Sequence, residues 1–97
     1  MPAPPKEAPP PVLSTQVSSE EEKRIQDKTQ RRIDGTERLL RQIDWRRLVG
    51  DQQQNLSTIH SFLAKAKEAL TIRDVQRAYT LADKAYLLAD ELSRALR

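Results

Sequence analysis

All six prolines of this 97-residue chain fall within residues 1–11. The stretch PAPPKEAPPPV cannot form a helix, because proline lacks the amide donor and its ring clashes with the preceding turn. It is expected to populate polyproline II and to act as a semi-rigid spacer. The Pro2/Pro5 spacing also fits a ligand for an SH3-like groove, but that pattern is too common to displace the linker reading. Beyond residue 11 there is no proline, and glycine occurs only at positions 35 and 50. Several strands would need more turn residues than this. The chain therefore divides into a Pro-rich disordered tail over 1–18 and an all-α domain over 19–97.

What fills the domain agrees. Leu, Ala, Arg, Gln, Glu and Asp dominate, while Val, Phe and Tyr are scarce, a mix that suits helices better than sheets. Ser18 with Glu21, or Ser19 with Glu22, fits a capping box, and three acids occupy the first turn, where the helix dipole favours them. Ile25, Thr29, Ile33, Thr36, Leu40 and Ile43 then recur at spacings of three and four, with Leu39 and Leu48 beside them. The spacing predicts a long first helix near 19–48, with Arg46 and Arg47 in its last turn and Gly50 as the left-handed residue that ends it. Gly35 inside this helix costs ~1 kcal/mol relative to alanine. Asp51 with Gln54 offers a second capping box. It opens a helix near 52–71 whose stripe is Leu56, Ile59, Leu63, Ala66 and Leu70. A third helix near 74–96 has the most regular stripe: Val75, Ala78, Ala82, Ala85, Ala89, Leu92 and Leu96.

The break between the second and third helices carries neither glycine nor proline. In one continuous helix, the register of the second would put Arg73, Arg77, Thr80, Lys84 and Glu91 on the seam. The apolar stripe is instead shifted by two residues, ~200° at 100° per residue. A turn near 71–74, capped by Asp74 or Thr71, returns both stripes to one core. Short connections then give an antiparallel three-helix bundle. A first helix of ~30 residues would project by about ten residues, EEEKRIQDK, beyond helices of ~22.

The residue inventory restricts the chemistry. Without cysteine there is no thiolate or disulfide, and His60 alone cannot assemble the three or four ligands of a zinc site. His60 reads as an edge histidine of the bundle. Isolated glycines exclude the P-loop and the dinucleotide-binding fingerprint, and no nucleophile elbow is present. The expectation is a non-enzymatic chain with no metal and no cofactor. No apolar run reaches the ~18 residues of a membrane span.

Charge and aromatic residues bear on partners. The net charge is +3, and residues 20–49 hold nine Lys or Arg against seven Asp or Glu. Signs are interspersed, as on a solvated helix face. Arg31/Arg32 and Arg46/Arg47 suit phosphate contacts, yet no stacking platform for single strands is visible. Trp45, two residues past Ile43, is expected to cap the end of the bundle near Leu92 and Leu96. The alternative is a partly exposed anchor for another chain. Tyr79 and Tyr86 widen the stripe of the third helix, together with Leu81 and Leu88. If the first helix leaves that flank uncovered, the apolar patch marks a homodimer or a heterologous partner. Trp45, Tyr79 and Tyr86 are thus the candidate partner contacts.

The stretch AKAKEALTIRDVQRAYTLADKAYLLADEL, residues 64–92, resembles the helical hairpin of a tetratricopeptide repeat. Ala66 and Ala69 stand where its first helix is small. Asp74 and Val75 stand at its turn, and Ala78, Ala82 and Ala85 at its second-helix positions. This covers about a third of the chain, in a single copy. The whole layout, a Pro-rich spacer followed by a helical domain ending in an Ala/Leu-rich helix, is similar to small bacterial envelope lipoproteins. That resemblance implies an interaction or scaffolding role in the periplasm or cell envelope, tethered if a cleaved leader and an acylated cysteine precede Met1. A cytoplasmic basic helical protein that binds nucleic acid or another acidic surface is the competing expectation.

Overall fold

The computed structural model describes residues 18–96. Apart from Ser18, the tail expected over 1–18 lies outside the described residues, as does Arg97. The described residues form α1 (Ser19–Gln42), a 3-10 turn (Trp45–Arg47), α2 (Asp51–Thr71) and α3 (Val75–Ala95), with no strand among them. The fold is an all-α, antiparallel three-helix bundle in which α1 is the longest helix. Because successive helices reverse direction, α1 and α3 run parallel. Lys28 is level with Tyr79, Arg32 with Asp83 and Gly35 with Tyr86.

The third helix is central. It lies along both α1 and α2, whereas those two scarcely touch each other. The cause is in its stripe, where Val75, Ala78, Ala82, Ala85, Ala89 and Leu92 are all buried. Methyl side chains in the middle of that stripe let two helices approach one backbone to the short end of the 8–10 Å range. From α1 the buried residues are Thr29, Ile33 and Thr36. Their threonine hydroxyls donate to the carbonyls of Ile25 and Arg32, both at 2.7 Å, so neither is buried unsatisfied. From α2 come Ile59, Leu63, Ala66 and Ala69.

Ser18 caps α1, its hydroxyl accepting from the amide of Glu21 at 3.0 Å. The other end of α1 departs from expectation, since the helix stops at Gln42 and not near residue 48. Extending it would carry Asp44 and Arg47 toward the seam. Asp44 instead turns its carboxylate onto the amide of Arg46 at 3.0 Å and caps the 3-10 turn. That break swings Leu48 into the core, where it is 3% exposed.

The shorter helix has two consequences. The carboxylate of Glu22 accepts from Arg73 Nε at 3.0 Å, so the first turn of α1 stands level with the α2–α3 turn and does not project ten residues beyond it. Gly50 does adopt a positive φ of 53°, but as the residue preceding α2 and not as the end of α1. Its ψ of −122° places it in a region that residues with a Cβ rarely reach. Asp51 is then the first helical residue, and the expected Asp51/Gln54 box is replaced by Gln52 and Gln53, which bond the amide of Val49 and the carbonyl of Leu48.

The α2–α3 turn forms where the shifted stripe requires it. Arg73 takes a left-handed φ of 62°. The amides of Arg73 and Asp74 donate back to Leu70 and Ala69 at 3.0 and 2.9 Å, the pattern of a Schellman ending with arginine in place of the usual glycine. Asp74 then caps α3.

Candidate functional site

Two grooves flank α1, and their linings differ in kind. The first lies between α1 and α3 and encloses about 420 Å³. Its floor is formed by Gly35, Tyr79 and Tyr86, and its walls carry Lys28, Arg31, Arg32 and Arg38, with no acid in the lining. Gly35 explains the close approach. A Cβ at this position would stand 3.1 Å from Cε1 of Tyr86, so the missing side chain is where the tyrosine ring rests. Above the rings, Lys28 Nζ lies 5.7 Å from the centre of Tyr79, and the Arg32 guanidinium 4.9 Å from that of Tyr86. Both pairs lie within cation–π range. Arg32 is held there by Asp83 at 3.2 Å.

Three of these four cations, Lys28, Arg31 and Arg38, come from a single strip of α1. Positions 24, 28, 31, 35, 38 and 42 recur at spacings of three and four and carry Arg24, Lys28, Arg31, Gly35, Arg38 and Gln42. Summing charge over 20–49 hides this segregation, whereas projecting the helix at 100° per residue reveals it. Among the described residues, Lys28, Arg31 and Arg38 form no ion pair, while Arg32, Lys67, Arg73 and Arg94 each have one.

The second groove, on the other side of α1, faces α2. It consists of two adjoining hollows of about 350 and 530 Å³ that share Leu40, Arg41 and His60. Leu56, Leu63 and Ile43 add apolar lining, and Trp45 stands at one end. Lys67 and Glu37 bridge across the opposite end at 2.7 Å. Trp45 is 68% exposed and does not cap the bundle end, a role taken by Leu48. Val49, close by in sequence, is equally exposed. His60 is exposed on the groove margin.

The structure therefore brings Tyr79 and Tyr86 together and sets Trp45 apart on the opposite flank of α1. The two tyrosines are half-buried under cations of α1 and are not an uncovered apolar patch. Of the basic pairs, Arg31/Arg32 lines the α1–α3 groove and Arg46/Arg47 lies in the 3-10 turn. Among the described residues there is no cluster of three or more His, Cys, Asp or Glu suited to a metal ion. No described helix is long and apolar enough to cross a membrane. No family model, curated protein or solved structure matches the chain.

Proposed function

We propose that this chain is a non-enzymatic protein-interaction or scaffolding module of a bacterial cell envelope, with Trp45 as its anchor for a protein partner. The observation that carries the reading is the 68% exposure of Trp45 at the end of an apolar groove. Tryptophan is the residue whose burial contributes most at many interfaces, and a pocket beside it supplies the dry surroundings that such an anchor needs. The tetratricopeptide-like hairpin and the spacer-plus-bundle layout support the same reading. The tether in it rests on the lipoprotein resemblance, and fractionation of source cells tests that part. A chain found wholly in the cytosol would remove it.

A photo-crosslinking side chain at position 45, introduced into the protein in its source cell, tests the anchor. The expected result is a discrete adduct that does not form when the same group replaces the exposed Lys65 on α2. Identical adducts from both positions, or none from position 45, would count against the reading. An adduct at twice the mass of the chain would identify the partner as a second copy.

A further inference from the structure

We propose that the α1–α3 groove is a second, separate docking surface, and that its occupant is a short acidic protein segment presenting a row of carboxylates. Charge complementarity carries the proposal. Lys28, Arg31, Arg32 and Arg38 surround the groove, and no acid joins them in its lining. Three of these four make no ion pair among the described residues. Lone cations scattered over a surface need no explanation. Three unpaired cations that converge on one groove, beside an Arg32 already neutralised by Asp83 and above two half-buried tyrosines, make a strip of positive potential with an amphipathic floor.

The dimensions suit a single chain. Lys28 and Arg38 are ten residues apart, ~15 Å along the helix axis. Carboxylates at every third and fourth residue of a partner helix, or at alternate residues of an extended strand, repeat within that length. Asp27 and Asp34 lie about 60–80° around α1 from the axis of the strip at ~100° per residue, both on the flank opposite Arg32, so they border it on one side while α3 borders it on the other. That narrowness disfavours a duplex, whose phosphates would meet those acids. Base stacking is disfavoured too, because Lys28 and Arg32 already cover ring faces of Tyr79 and Tyr86. The tyrosine hydroxyls and ring edges remain for hydrogen bonds and apolar contact with a peptide.

Fluorescence anisotropy on the folded chain tests the proposal. The probes are a labelled peptide with glutamate at every third and fourth position, its glutamine twin, and oligo-dT of similar charge. At low ionic strength the glutamate peptide is expected to bind at least ~10-fold more tightly than the glutamine twin, and to weaken as salt rises. Arg31→Gln with Arg38→Gln should reduce its affinity about ten-fold, the size expected when two solvated ion pairs are lost. Lys65→Gln with Arg77→Gln removes the same charge elsewhere and should leave affinity unchanged. Trp45→Ala should leave it unchanged as well, which separates this surface from the anchor proposed above. Equal losses from the two double variants would reduce the effect to net charge and overturn the proposal. So would tighter binding of oligo-dT than of the glutamate peptide, a loss on Trp45→Ala, or no binding of the glutamate peptide at millimolar concentration.

Discussion

Around α1, the contact with α3 is made by Gly35 and by a helix whose buried face is mostly alanine, and it brings the two backbones close along their length, leaving a groove only at its outer edge. The contact with α2 is bordered by Leu40, Ile43, Leu56 and Leu63, and it stays open along two hollows. The more apolar seam is thus the looser one. How closely two helices approach is set by side-chain size at the crossing, and hydrophobicity only rewards the approach that size permits. Since α3 offers small residues to both neighbours, it draws each of them in and leaves α1 and α2 bridged mainly at the rim.

That contrast is most exposed to test at Ala82, which is fully buried on α3. Ala82→Leu should destabilise by ~1–3 kcal/mol, as overpacking of a close crossing does, whereas Lys84→Ala on the solvated side should stay within ~0.5 kcal/mol. Thermal unfolding reads both, and equal midpoints would show that α3 is not the tight centre. A smaller effect sharpens the comparison between the two seams. Gly35→Leu drives a side chain into Tyr86, and after the helix-propensity gain of ~1 kcal/mol over glycine it should still cost about 1 kcal/mol. Ala64→Leu lengthens a residue lining the open α1–α2 groove, and should be neutral or stabilising by up to ~0.5 kcal/mol in denaturant titrations. The reverse order would invert the comparison. The least effect belongs to the rim. Lys67 and Glu37 are 55% and 36% exposed, so Glu37→Gln should shift stability by less than ~0.5 kcal/mol, and less still at high salt.

Much of this architecture is legible in the residues, and unevenly so. The stripe of α3 is legible because alanine and leucine at strict three-four spacing leave no second register. The turn at 71–74 is legible from the two-residue shift alone, although its left-handed Arg73 is not, since arginine carries no signal for that conformation. The end of α1 is not legible from periodicity, because Leu39, Leu40, Ile43 and Leu48 read as one seam. What ends the helix is local competition, with Asp44 bonding the amide of Arg46, together with burial of Leu48 that only the assembled bundle provides. The same periodicity misplaces Trp45, because a helix continued to residue 48 would turn it onto the bundle end. The cationic strip lay within reach of a helical projection but not of a charge sum, and the open α1–α2 groove depends on how three helices share one small-residue face.

The parallel course of α1 and α3 gives the molecule a working length. Chain preceding Ser18 joins the bundle beside the α2–α3 turn, while Trp45 stands past the far end of α1. Twenty-four helical residues separate the two ends, ~36 Å at 1.5 Å per residue. A helix braced along its side by α3 does not bend readily over that distance. The bundle therefore has the proportions of a strut, with Ser18 at one end and the exposed Trp45 at the other, held apart by a length of helix that packing keeps straight.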